Sequence, residues 1–149
     1  MNTELRVADG SDGAVILSLL GEQLDEHDIN VSLDALRAAV EAVLDNAARG
    51  MFLLAEVDGS VIGFAYLTYV WSMEHAGRCA WLEEMYVRPD WRGRGVGTAL
   101  LRRAIEEARA VGCRAVDLEV DAAHSRAENL YARDGFSSLA RSRWVRRLV

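Results

Sequence analysis

Two stretches of this chain carry residue types whose spacing could do chemistry. The first is Gly93-Arg94-Gly95-Val96-Gly97, which follows Arg92 and a proline turn at Pro89. Glycines let backbone N–H groups approach an anion with no Cβ in the way. If a helix opens there, its first N–H groups have no internal partner, and its dipole is positive at that end. Together these make an anion site, with Arg92 and Arg94 adding charge at its rim. Two better-known phosphate loops do not fit. A dinucleotide loop reads G-x-G-x-x-G after the first strand; here the pattern is R-x-x-G-x-G and comes late. A P-loop needs a lysine, and the chain has none. The second stretch is Glu83-Glu84, two adjacent carboxylates on a segment that reads as a strand. Alternation sends neighbouring strand side chains to opposite faces. A bulge, frequent beside active sites, would change that. Strand carboxylates also serve simply to keep an edge soluble.

The elements that must position these residues follow from periodicity. Leu5 to Val7 is a short first strand. Asp12 or Ser11 caps a helix through Val15, Leu19 and Leu20. Glu22, Asp25, Glu26 and Asp28 then fall in an acidic loop. Ser32 is an N-cap, because Leu33, Leu36, Val40, Val43 and Leu44 recur at helical spacing, and Gly50 closes that helix. Met51 to Val57 is a strand, Asp58-Gly59 a hairpin turn, and Val61 to Trp71 the return strand. A polar loop, Ser72 to Arg78, leads to a strand from Ala80 to Val87, which Pro89 stops. The glycine-rich loop opens a helix through Leu100, Leu101, Ile105 and Ala108. Ala115 to Val120 is a buried strand, Arg126 to Arg133 a helix with Gly135 as its C-cap, and Phe136 to Leu139 and Arg143 to Leu148 are final strands. The order describes an α/β chain around one mixed sheet, as a single domain over residues 1–149.

Composition narrows the function. The net charge is −6, which disfavours nucleic acid as a partner and suits a cationic substrate. All basic residues are arginine, so lysine chemistry is excluded. No apolar run reaches the roughly 20 residues that span a bilayer. The first ten residues lack the marks of a signal peptide, so the expected location is cytoplasmic with no membrane partner. Cys79 and Cys113 lack metal-ligand spacing, and no metal is expected. His27 and His75 are isolated in loops and receive no role.

Three ordered motifs carry a resemblance. Glu83-Glu84-Met85-Tyr86-Val87-Arg88-Pro89, then Arg92 to Gly97, then Arg126-Ala127-Glu128-Asn129-Leu130-Tyr131-Ala132-Arg133-Asp134-Gly135-Phe136 resemble the GCN5-related N-acetyltransferases. The likeness runs from about Leu5 to the end. Gly63-Phe64-Ala65-Tyr66 through Trp81-Leu82-Glu83-Glu84 is most similar to the spermidine/spermine, or diamine, branch.

The resemblance implies a three-layer acyl-CoA N-acyltransferase fold with a splayed central sheet, and acetyl-CoA as co-substrate. It implies that the backbones of Met85, Tyr86 and Val87 pair with pantetheine, as an added strand pairs with a sheet edge. Gly93, Arg94, Gly95, Val96, Gly97 and Thr98 would hold the pyrophosphate, with Arg92 at the loop's start. Tyr131 would protonate the departing thiolate. His124 stands where the family often has asparagine and would reach a CoA amide or phosphate. Glu83 and Glu84 are the candidate general bases, and the resemblance favours Glu83. An alkylamine of pKa about 10.4 is neutral in only about one molecule in 2,500 at pH 7. That shortage costs about 4–5 kcal/mol of barrier, which a base recovers. No Ser-His-Asp or Cys-His grouping stands near these motifs, so direct attack by the amine is expected. The expected acceptor is a small cationic amine; acetylation of a peptide N-terminus or lysine is the runner-up, and an idle acyl-CoA-binding module the rival from another class. Trp144, Val145 and Leu148 suggest a homodimer.

Overall fold

The computed structural model describes residues 2–121 and 125–149. They divide into two compact units, Met1–Glu119 and Val120–Val149.

The first unit holds one five-stranded sheet in the order β1-β2-β3-β4-β5. Its strands are β1 (Glu4–Val7), β2 (Gly50–Val57), β3 (Ser60–Ser72), β4 (Gly77–Val87) and β5 (Val116–Leu118). The first four pair antiparallel, and β5 pairs parallel to β4. Asp58 and Gly59 both take positive φ, 49° and 77°, which matches the twist that a two-residue hairpin needs. Helices α1 (Gly13–Glu26) and α2 (Leu33–Leu44) precede β2, and α3 (Val96–Ala110) links β4 to β5.

Alternation along the strands splits the core into two layers. Phe52, Leu54, Phe64 and Tyr86 pack with Ile16, Leu19 and Leu20 of α1 and Val40 of α2. Leu53, Ala55 and Ala65 are also fully buried and point from intervening positions to the other face, where α3 lies against β2, β3 and β4. The sheet is therefore sandwiched between helices.

Several boundaries differ from the sequence reading. Helix α1 runs on to Glu26, so Glu22, Asp25 and Glu26 are helical and only Asp28 lies in a loop. Of the two cap candidates, Asp12 holds the N-cap position of α1 but makes no side-chain cap bond there; its carboxylate instead forms a reciprocal box with Asp9, which caps the 3-10 turn before the helix. Ser32 does cap α2, accepting from Ala35 N–H. Gly50 does not end α2, which stops at Leu44; it opens β2, where a Cβ would run into the Leu67 carbonyl. The strand expected at Ala115 to Val120 is shorter and half-buried.

The second unit contains α4 (Ser125–Arg133). Its end is a Schellman motif: Gly135 N–H bonds the Ala132 carbonyl, and Phe136 N–H bonds that of Tyr131. The Tyr131 and Phe136 rings meet edge to face, with centroids 5.8 Å apart. The final strands expected at 136–139 and 143–148 do not form; both stretches are without helix or strand.

Candidate active site

Strand β4 brings the first group of site residues together. On one side it pairs with β3 along its whole length. On the other, β5 pairs with it only from Ala80 to Leu82. From Glu83 onward β4 has lost its parallel neighbour, which is the splay the resemblance implied.

At that same point the β3–β4 register shifts. Tyr66 lies opposite Glu84 and Leu67 opposite Leu82, so Glu83 is one extra residue, a bulge. The extra residue breaks the alternation that would otherwise part Glu83 from Glu84. Glu83 is exposed and Glu84 half-buried. Burial pushes the Glu84 carboxyl up, and the neighbouring Glu83 charge pushes it further. Gln23 of α1 opposes this by donating Nε2–H to Glu84 Oε2 at 2.9 Å. Among the described residues, the other end of that amide, the buried Gln23 Oε1, has no hydrogen-bond partner.

Further along β4, Met85 and Val87 are half-buried and Tyr86 is a core residue. A 3-10 turn at Pro89–Trp91 then leads into the glycine loop. Gly93 and Gly95 take φ of 73° and 83°, left-handed values that L side chains rarely adopt. Gly95 is the N-cap of α3 and offers no side chain to cap it, so the first N–H groups of Val96, Gly97 and Thr98 are open to an external acceptor. A Cβ placed on Gly93, Gly95 or Gly97 would meet nothing within 4 Å, so the loop borders open space. Backbone N–H groups at such a border can be reached by an external anion.

The two arginines before and within the loop differ. Arg94 lies over the Trp91 ring, 5.1 Å from its centroid. Arg92 makes two bonds to the Glu26 carboxylate, at 2.9 and 2.8 Å, and a third from Nε to the Val87 carbonyl at 2.8 Å. Its partner pair one turn away is Arg88 with Glu22, at 2.9 and 3.2 Å. Thus two of the four acidic residues read from the sequence as an acidic loop, Glu22 and Glu26, are already paired with arginines within the chain.

Tyr131 belongs to the second unit. It is half-buried, and burial holds its hydroxyl above the usual phenol range, so it stays protonated at neutral pH. His124 lies outside the described residues.

Sequence reasoning missed Gln23 and the arginine pairs, although signals existed. Gln23 stands seven residues after Ile16, on the same buried stripe as Leu19 and Leu20. Glu22 and Glu26 are spaced as helix neighbours, and Arg88 and Arg92 are likewise four apart.

Known proteins share the family and the fold. Residues 18–136 match the acetyltransferase (GNAT) family. The chain belongs to that family. This GNAT protein is an acetyl-CoA-dependent acetyltransferase with the family's mixed, splayed sheet. It is 31% identical to the thialysine N-epsilon-acetyltransferase of Mus musculus, over 95% of this chain and 88% of that protein. It is 41% identical to an uncharacterized N-acetyltransferase of Methanocaldococcus jannaschii over 57% of this chain, a match that takes in only 38% of the archaeal protein. Among solved structures, an integron cassette protein from the mobile metagenome of Cole Harbour Salt Marsh is similar with a TM-score of 0.87 and 28% identity, covering 97% of this chain and 90% of that one.

Proposed function

We propose that this acetyltransferase acetylates a primary amine on a small cationic molecule, as a member of the diamine-like branch. The observation that carries the reading is the bulge at Glu83. It sets two adjacent carboxylates where β4 parts from β5, with the half-buried Glu84 fixed by Gln23. Carboxylates there bind an ammonium, and desolvation strengthens the attraction. The orphaned Gln23 Oε1 is a further acceptor for an ammonium N–H. Glu22 and Glu26 are satisfied by arginines, so selectivity for a cation falls to Glu83, Glu84 and the exposed Asp25. The mouse relative is named for acetylating the ε-nitrogen of thialysine, an amine on a flexible chain.

In the proposed reaction Glu83 is the base, because it is exposed at the bulge, and Glu84 is its fixed partner. Glu83 takes a proton from the ammonium, directly or through water. The freed nitrogen lone pair forms a bond to the thioester carbon, the C–S bond breaks, and the sulfur leaves with the electron pair. The nitrogen releases its one remaining extra proton to solvent water as the neutral amide forms. Tyr131, still protonated, gives that thiolate its proton and recovers one from solvent. The backbones of Met85, Tyr86 and Val87 would hold pantetheine, and those of Gly93 to Thr98 the pyrophosphate. Arg92 is engaged with Glu26 and Val87, so backbone N–H groups supply most of the anion contacts. We propose also that two copies associate as a homodimer.

Thiol release from acetyl-CoA with a panel of polyamines, diamino acids, neutral amino acids and peptides tests the reading. Primary alkylamines carrying a second positive charge are expected to be the best acceptors. Glu83→Gln and Tyr131→Phe should each lower turnover about 10²–10⁴-fold while acetyl-CoA still binds. Efficient turnover of neutral or anionic acceptors, with none for polyamines or diamino acids, would refute it.

A further inference from the structure

A second cluster of reactive groups lies in the first unit, away from the carboxylate pair. His75 comes from the loop between β3 and β4, Cys79 from the start of β4, and Asp117 from β5. His75 Nε2 is 2.9 Å from Asp117 Oδ2. The Cys79 thiol donates to the same oxygen at 3.2 Å. The nitrogen, sulfur and oxygen atoms all lie within 4.8 Å of one another. Backbone contacts fix the three segments around them. Arg114 Nε donates to the His75 carbonyl at 2.8 Å, Arg114 N–H to that of Arg78 at 2.8 Å, and Ala80 N–H to that of Ala115 at 3.0 Å.

These residue types also occur together in nucleophilic sites, but the geometry here is wrong for one. The sulfur bonds the aspartate, not the imidazole. Burial and the Asp117 hydrogen bond push the thiol up to about 12, the reverse of what an attacking thiolate needs. One imidazole nitrogen, one sulfur and one carboxylate oxygen instead match the ligands of zinc and similar divalent ions. Ordinary zinc bond lengths in a tetrahedron place ligand atoms about 3.4–3.6 Å apart. The His75–Asp117 and Cys79–Asp117 contacts are hydrogen-bond distances and must open by about 0.3–0.5 Å to reach that spacing, while the His75 nitrogen and Cys79 sulfur, within 4.8 Å of each other, must close to it. His75 and Asp117 have room to do so, with side chains 33% and 25% exposed. That exposed side leaves the fourth position to water.

We propose that His75, Cys79 and Asp117 form a binding site for a zinc-class divalent cation that joins β5 to β4. As the sulfur takes the metal, the thiol proton passes to solvent. A neutral imidazole, a thiolate and a carboxylate then balance the two positive charges. The site would be structural. Cys79 is four residues before Glu83, roughly 13 Å along the strand, too far to touch the reacting atoms. Its effect is on β5, which only three residue pairs hold to β4.

The test uses the untagged, reduced, metal-stripped chain and Co²⁺ as the probe. One equivalent should bind and give a thiolate-to-cobalt absorption band with the visible bands of a four-coordinate ion. Zn²⁺ should displace it and raise Tm, since a ion that binds only the folded state stabilises it. His75→Ala and Asp117→Asn should each weaken cobalt binding roughly 100-fold or more, beyond what losing an outer-shell partner costs. Cys79 is fully buried, so a stability loss in Cys79→Ser is also expected from packing alone; the two exposed-side variants keep the test decisive. Cys113→Ser is the control and should keep the band. A folded wild-type chain with no cobalt–thiolate band would overturn the proposal. So would a band that survives His75→Ala and Asp117→Asn, or one that disappears in Cys113→Ser.

Discussion

At Gly97 the fold and the proposed pyrophosphate contact make different demands on one residue. An added Cβ would meet nothing within 4 Å, and the backbone there is not left-handed. Gly93 and Gly95 differ, because their positive φ makes any side chain strained whatever the space. Gly97→Ala should therefore leave stability unchanged or raise it by up to about 1 kcal/mol, as alanine replaces glycine within a helix. The same methyl would stand between the α3 N–H groups and a pyrophosphate, so acetyl-CoA affinity should fall at least about tenfold. Thermal unfolding and calorimetric titration on one sample read both quantities. Unchanged affinity in this variant would remove the loop from the cofactor site. The loop was legible in the sequence because glycine spacing is a local pattern. Glu83 and Glu84 were legible as residues, and a bulge was one of the alternatives open to their strand, but neither its presence nor its position was. A bulge is a property of two strands in register, and Leu67 against Leu82 fixes it only once β3 and β4 have paired. The role of the Gln23 amide was hidden for a related reason: the partner of its Nε2, Glu84, comes from β4, far along the chain.

Among elements, the entry to α1 depends on a small charged network. Asp12 is buried and accepts from Arg6 at 2.8 and 2.7 Å and from Asp9 N–H at 2.8 Å. It thereby ties β1 to the first turn of the helix layer. The Arg6 guanidinium holds the Asp12 carboxyl below its ordinary value of 3.8. A carboxylate whose folded pKa is depressed stabilises the fold fully above its unfolded pKa and loses that contribution as pH falls through the folded one. Asp12→Ala should cost about 1–2 kcal/mol at pH 7. The figure sits at the low end because Arg6 is 39% exposed and keeps Glu56 as a second partner. The difference from wild type should shrink as pH drops below about 4. Denaturant melts at pH 7 and pH 3 check this; an equal difference at both would mean the loss is packing and not charge. Sequence patterns placed these elements well where the period was long, as in α3 and β3. They failed at ends. Helix α1 runs through Glu26 because Gln23 continues the buried stripe, although the acidic residues around it read as loop. Gly50 looked like a helix end by type, whereas its real constraint is the close passage of β3 at Leu67.

For the molecule as a whole, the stretches 136–139 and 143–148 hold the largest disagreement between pattern and structure. Their residues suit strands, yet a strand exists only if another supplies its hydrogen bonds, and these residues form no ladder in a single chain. The large side chains there stay in water: Trp144 is 90% exposed, Val145 80% and Leu148 89%. Leaving them so forgoes about 1.5–3 kcal/mol for each that could be fully buried. A second copy, related by a two-fold axis, would present the same segment and could supply both the ladder and the cover. Arg141, Arg143, Arg146 and Arg147 lie in the same stretch, so two copies bring like charges together. The expected assembly is therefore a dimer that tightens as salt screens that repulsion. Light scattering at micromolar concentration should give twice the mass of the 16.5 kDa chain, more completely at 0.5 M salt, if salt is varied from roughly 0.05 M through one Debye-screened decade. Trp144→Ser should shift the mass to that of one chain without lowering acetyl-CoA affinity, because the residue is remote in sequence from the glycine loop. A wild-type chain that stays monomeric at every salt concentration would leave the segment as an exposed tail and end the argument for a dimer.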